Sequence, residues 1–215
     1  MKTTYRQTVA IAIILCGILS ACVTTRAKNE KSYLIETEVP VRPSNQQDVL
    51  LHRVAPMPVV RVAFIGLGMR GPGAVFRMAN IPGVEIVALC DVLQENTEKA
   101  NKILEKKGLP KALEFYGDTT VWRKVTALPN VDLIYVATDW KSHASIGIQA
   151  MNDGKHVAIE VPAAMNLQEI WGLINTSEKT RKHCMQLENC VYDFFELTTL
   201  NMAQNGVFGE IIHVE

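Results

Sequence analysis

The run Arg61-Val-Ala-Phe-Ile-Gly66-Leu-Gly68-Met69-Arg70-Gly71 is a short apolar strand that turns through G-x-G-x-x-G, and Asp91 closes the next apolar run twenty positions after Gly71. Each glycine has its own task. Gly66 permits the tight turn, Gly68 lets the backbone approach a pyrophosphate, and Gly71 lets the following helix pack close to the sheet with its N-terminal N–H groups aimed at the anion. A carboxylate at Asp91 accepts from ribose hydroxyls and repels a 2′-phosphate, so the pattern favours NAD over NADP. Strand, turn, helix and acid in that order distinguish it from a glycine turn made only for packing.

Around this motif, apolar runs alternate with helical patterns, the signature of βαβ units on a parallel sheet. Strands are predicted at Val59–Ile65, Val84–Cys90, Val131–Thr138, His156–Glu160 and Met185–Glu188, with a short one near Leu113–Tyr116. A helix is predicted over Asn96 to Lys107, where Glu98 and Lys102 pair at i,i+4 opposite a stripe of Ala100, Ile103 and Leu104. Another begins at Asn166-Leu-Gln-Glu169, which has capping-box spacing, and continues through Ile170, Leu173 and Ile174. A chain of 215 residues, 48% of them apolar, holds one medium domain plus a remnant. The expected fold class is therefore α/β, a Rossmann-type doubly wound parallel sheet over residues 58–190. With 22 basic and 22 acidic residues the chain has no net charge, and nothing suggests the basic patch of a nucleic-acid binder.

The amino-terminal region is of another kind. Lys2 and Arg6 precede an apolar core, Val9 to Leu19, too short to span a bilayer comfortably, which reads as an export signal over residues 1–21. Its end, Leu19-Ser20-Ala21-Cys22, resembles a bacterial lipoprotein cleavage box, making Cys22 the lipidated residue and placing the domain outside the cytoplasm on a membrane anchor. A plain signal peptide with an incidental cysteine, or an uncleaved anchor, are the alternatives. Residues 22–57 are polar, charged and proline-containing, and read as a tether. Of five cysteines, Cys90, Cys184 and Cys190 remain beyond the signal, an odd number with no zinc spacing, and Cys90 is a small buried hydrophobe.

Ligands of open parallel sheets bind beyond the carboxyl ends of the strands, so residues just after each strand matter most. Asp139-Trp140-Lys141-Ser142-His143 follows one strand and gathers an aromatic face, a cation and an imidazole. The same run also reads as a helix start, with Ser142 as cap and Trp140 filling a seam. Glu160-Val161-Pro162 and Glu188-Asn189-Cys190 follow two others, where a nicotinamide ribose or carboxamide, or the neighbouring backbone, satisfies Glu160 and Asn189.

Thr138-Asp-Trp-Lys-Ser-His143, Gly154-Lys-His-Val157 and Glu160-Val-Pro162 resemble the dehydrogenase family of glucose-fructose oxidoreductase and inositol dehydrogenase, whose usual pattern ends in Glu-Lys-Pro. That lysine assists proton transfer in the family; Val161 stands in its place here and can neither donate nor accept a proton. A narrower resemblance accommodates the change. Gly66-Leu-Gly-Met-Arg-Gly-Pro-Gly73, Glu160-Val-Pro-Ala-Ala164, Arg181-Lys-His-Cys-Met185, Leu187-Glu-Asn-Cys190 and Tyr192-Asp-Phe-Phe-Glu-Leu-Thr-Thr-Leu-Asn-Met202 are similar to glycoside hydrolase family 109, bacterial α-N-acetylgalactosaminidases that keep NAD bound.

The resemblance implies a glycosidase that removes terminal α-linked N-acetylgalactosamine by oxidation at C3, elimination of the aglycone, addition of water and reduction by the same cofactor, outside the two-carboxylate scheme. It implies cofactor contacts at Gly66, Gly68, Met69, Arg70 and Gly71, at Asp91, at Trp140, Lys141, Ser142 and His143, and at Glu160, Val161 and Asn189. No metal site is expected. A sugar dehydrogenase with a different base, or a nucleotide-binding fragment without turnover, are the competing readings. Residues 191–215 are expected to hold a bridging helix, Phe195 to Gln204, and from Val207 the opening strand of a truncated second α/β domain that supplies most sugar contacts. The catalytic residues stay unassigned. Tyr192 and His213 are candidate substrate-side groups against readings as a packing tyrosine and an edge-strand histidine, and His143 is a candidate acid or base. His52, His156 and His183 form no constellation in the sequence.

Overall fold

The computed structural model describes residues 39–42 and 46–213, and the architecture is that of the unit from Val41 onward. The expected export signal and Cys22 lie outside the described residues. Strands β1 (Val60–Ile65), β2 (Val84–Cys90), β3 (Leu113–Phe115), β4 (Leu133–Val136), β5 (His156–Glu160) and β6 (Cys184–Leu187) form one sheet in the order β3-β2-β1-β4-β5-β6. Every neighbouring pair is parallel. Helices α1 (Gly71–Met78), α2 (Gln94–Lys106), α3 (Trp122–Thr126), α4 (Trp140–Asn152) and α5 (Leu167–Thr180) occupy the crossovers, and α6 (Phe194–Gln204) follows β6. The strand order reverses between β1 and β4, which opens a crevice at their carboxyl ends.

Side chains alternate across each strand, so every apolar run feeds two cores. Ala63, Ile65, Ile134, Val136 and Ile159 pack with Ile146 and Met151 of α4. Val62, Phe64, Leu89 and Tyr135 pack with Ala74 and Val75 of α1 and with Ala100 and Leu104 of α2. Burial on both faces is why the strands read as continuous apolar runs. β4 is shorter than its apolar run: Val131 is buried without joining the strand, and Thr138 already belongs to the turn into α4. At the start of α5, Asn166 accepts from the Glu169 N–H at 2.9 Å, while the Glu169 carboxylate accepts from the Met165 N–H at 2.7 Å, one residue earlier than a reciprocal capping box requires.

At the amino end of the sheet, residues between 42 and 52 hydrogen-bond to α5 and its cap. Arg42 pairs with the buried Glu178 carboxylate at 2.9 Å, and Gln46 donates to Glu178 and to Asn175 at 2.6 and 3.0 Å. Arg181, left-handed at φ 55°, donates to the carbonyls of Gln47 and Asp48, each at 2.9 Å. Its guanidinium also lies 3.1 Å from His52 Nδ1; since a guanidinium only donates, Nδ1 accepts and His52 Nε2–H donates to the Arg181 carbonyl at 2.9 Å. His52 and His156 both sit against His183, with ring centroids 4.9 and 5.2 Å away, and His156 Nδ1 accepts from the His183 N–H at 2.9 Å.

The carboxy-terminal region forms its expected helix, α6, within one residue of the predicted bounds, and departs from expectation beyond it. No residue of α6 is buried. Residues 207–213, expected to open a strand, contain none. Their backbone bonds are local, Val207 N–H to Met202 O and Gly209 N–H to Gly206 O, each at 3.0 Å. A strand exists only with a ladder partner, and none of the six strands pairs with this segment.

Candidate functional site

The G-x-G-x-x-G turn links β1 to α1 as its chemistry demands. Gly66 has φ +94°, and a Cβ there would stand 2.4 Å from the Ala137 carbonyl oxygen; a Cβ on Gly71 would stand 2.3 Å from the Gly66 oxygen. These two are fixed by the protein itself. Gly68 differs, because a Cβ there would meet nothing within 4 Å: its bare backbone faces open space. α1 starts with proline in its first turn, no side-chain cap and no acid, so its leading N–H groups remain available to an anion.

Asp91 stands just beyond β2 and turns toward the same place. Its carboxylate accepts from the Leu67 N–H at 2.7 Å, tying the glycine turn down, and from the Leu93 N–H and Asn96 Nδ2 at 2.9 and 3.1 Å. A carboxylate has about four acceptor positions, so these bonds leave room for a hydroxyl.

A groove of about 670 Å³ runs over the carboxyl ends of the strands, within the roughly 300–1,000 Å³ of small-molecule sites. Gly66, Gly68, Met69, Arg70 and Asp91 line it on one side of the switch point; Trp140, Ser142, His143, Glu160, Val161 and Asn189 line the other. Two expected residues do not. Gly71 is used in helix packing, and Lys141 is exposed on the first turn of α4, its N–H donated to Asp139 at 3.0 Å.

Asp139, not Ser142, caps α4. The Ser142 hydroxyl instead bonds Thr138 Oγ1 at 2.7 Å and Asp139 Oδ2 at 2.9 Å. Trp140 remains 58% exposed, so it walls the groove rather than filling a seam. His143 is 1% exposed, with Nδ1 2.8 Å from the Pro162 carbonyl oxygen and Nε2 3.1 Å from that of Thr138. Both nitrogens face backbone acceptors, so the ring braces the ends of β4 and β5 and is not placed to move a proton on a substrate. Glu160 is nearly buried, and its Oε1 accepts from the Tyr135 hydroxyl at 2.6 Å, so the partner of that oxygen is a side chain rather than neighbouring backbone. Burial, reinforced by Asp91, pushes the Cys90 thiol up to about 12, leaving it an inert wall.

Asn96, Asp118 and Trp122 also line the groove and were not singled out by the sequence. Asp118 follows β3, and its carboxyl is held below the usual range by the Thr120 hydroxyl and N–H. Attention to the residues beyond β3, as beyond the other strands, finds it. Tyr192 and His213 lie outside this groove, Tyr192 exposed and His213 in an apolar hollow beside α6.

The model of the oxidoreductase family with an NAD-binding Rossmann fold matches residues 60–187, and the chain belongs to that family. The resemblance to family 109 also holds. The chain is 63% identical over 199 residues to glycosyl hydrolase family 109 protein 1 of Bacteroides thetaiotaomicron, covering 92% of this chain and 43% of that protein. It is 61% identical over 204 residues to the protein of the same name from Bacteroides fragilis, covering 95% and 44%. The chain thus spans less than half the length of these curated relatives. The crystal structure of scyllo-inositol dehydrogenase from Lactobacillus casei, with bound cofactor NAD(H) and scyllo-inositol, shares the fold at TM-score 0.62 and 19% identity, over 71% of this chain and 43% of that one.

Proposed function

We propose that the groove holds NAD and that the protein of which this chain carries the nucleotide-binding part is an exported, lipid-anchored glycosidase that removes terminal α-linked N-acetylgalactosamine. The observation that carries the cofactor reading is Gly68, whose Cβ position is open and which lines the groove together with Asp91, shortly before a helix that starts without a side-chain cap. In this reading the turn from Gly66 to Gly71, with Met69 and Arg70, receives the diphosphate. Asp91 takes the adenosine ribose and disfavours a 2′-phosphate by charge. Glu160, Val161 and Asn189 meet the nicotinamide half, against the wall made by Trp140 and Ser142 and braced by His143; Lys141 contributes only through its place in the α4 turn.

When bound, NAD supplies reversible hydride acceptance; the chain's part is to bind, orient and exclude water. Val161 stands where the dehydrogenases carry lysine. Its isopropyl group cannot relay the proton of a sugar hydroxyl, so oxidation at C3 takes its base from another residue in either reading; the 63% and 61% identity to family 109 proteins is what supports the hydrolase reading. Incubating the NAD-loaded, full-length protein with an aryl α-N-acetylgalactosaminide tests this. Released aryl alcohol without net NADH is expected; stoichiometric NADH without aryl alcohol favours a sugar dehydrogenase and overturns the proposal.

A further inference from the structure

We infer that Tyr135 is a positioning residue that aims Glu160 at a ribose diol on the nicotinamide side of the groove; this rests on the NAD reading above. Glu160 is the last residue of β5 and 9% exposed, yet lines the groove. Among the described residues its hydrogen-bond donor is the Tyr135 hydroxyl, at 2.6 Å on Oε1, and no ion pair is formed with it. A carboxylate with one oxygen fixed and the other free to meet a ligand is a directed acceptor for a hydroxyl.

The origin of that direction is legible in the sheet. Tyr135 on β4 pairs in register with Ala158, two residues before Glu160, so both side chains project on the same face. Tyr135 is 6% exposed, and its ring stacks on Phe64 of β1 at 4.9 Å and 25°. Phe64 lies in the strand that ends at the glycine turn, so the element that receives the diphosphate also sets the ring that sets the carboxylate. Asp91 occupies the opposite side of the switch point, and a dinucleotide whose adenosine ribose meets Asp91 brings its second ribose toward Glu160. The two acids then share one design, each pinned by protein donors while keeping a position for a sugar hydroxyl.

Tyr135→Phe keeps the ring, the stacking and the volume and removes only the hydroxyl. Calorimetric titration of NAD and of ADP into each variant separates this role from a structural one, because ADP carries the adenosine and diphosphate but not the second ribose. Expected are an NAD affinity about tenfold weaker, an unchanged ADP affinity and an unchanged circular dichroism spectrum. Glu160→Gln should show the same selective loss, and the double variant should bind NAD no worse than the weaker single one. Tyr135→Phe binding NAD like the unaltered chain, or losing NAD and ADP in parallel, overturns the inference. Should Tyr135→Phe not fold, the same selectivity in Glu160→Gln decides. An unaltered chain that binds ADP but gains nothing from the nicotinamide half sinks this inference alone; one that binds neither sinks the NAD reading itself.

Discussion

The two ends of the sheet use polar residues in opposite ways. At the amino end they are consumed by the protein: Asp132 takes the Arg61 N–H, Nε and Nη2 at 2.9, 2.8 and 2.8 Å, Arg181 binds Gln47, Asp48 and His52, and Glu178 is closed by Arg42 and Gln46. At the carboxyl end Asp91 and Glu160 are each anchored by protein donors and still face the groove. Substitutions at the amino end should therefore move stability and leave ligand affinity alone, while at the carboxyl end the two effects come apart residue by residue.

The largest stability change is expected from Gly66→Ala, where positive φ and a contact of 2.4 Å with a backbone oxygen leave no relief. A loss of about 3 kcal/mol or more in urea unfolding, with NAD binding abolished, should result. Next is Arg181→Ala, which removes the bonds to both carbonyls and to His52. About 1–2 kcal/mol should be lost, protease should cut within residues 46–53 more readily, and NAD affinity should be unchanged; a parallel fall in affinity would mean the two ends are coupled.

Acid should act on the amino end first. Burial, then the charges of Lys182, His183 and His52, lowers His156 from 6.5 to about 4, with Asp132 opposing, and burial lowers His183 as well. The fold favours neutral imidazoles, so their contribution is complete above pH 6.5 and is lost as pH falls from there toward 4. His156 is only partly shielded, and a drop of a few degrees in Tm, about 1 kcal/mol, is expected across that window. His156→Asn, whose amide oxygen can accept the His183 N–H without titrating, should flatten it. Below that window the Asp132 carboxyl, held below its ordinary 3.8 by Arg61, gives a second loss as pH falls through its lowered value.

The smallest stability effect belongs to Gly68→Ala, within about 0.5 kcal/mol because the added methyl meets no protein atom. NAD affinity should nevertheless fall at least about tenfold, since that methyl stands where the diphosphate approaches. A variant that is destabilised but binds normally would assign Gly68 to the fold.

Local chemistry made much of this readable in advance. β2 and β5 occur at their predicted bounds, because turn residues punctuate buried apolar runs, and Gly66, Gly68, Asp91 and the residues after β4, β5 and β6 converge on one groove because parallel strands all end on the same side. Contacts between distant segments were not readable. Nothing local announces that His52, His156 and His183 meet; the parallel pairing of β5 with β6 and the docking of the segment before β1 bring them together. Tyr135 read only as an apolar strand position, since its bond to Glu160 depends on the register of β4 against β5. Residues 207–213 form no strand for the converse reason: strand propensity needs a neighbouring strand to pair with.

A crystal structure of the chain grown with NAD tests the central claim most directly. Diphosphate oxygens should lie against the backbone N–H groups between Leu67 and Gly71, with the adenosine ribose on Asp91 and the second ribose on the Glu160 side of the groove. Density for NAD lying elsewhere, or in the groove with its adenosine on the Glu160 side, would contradict it.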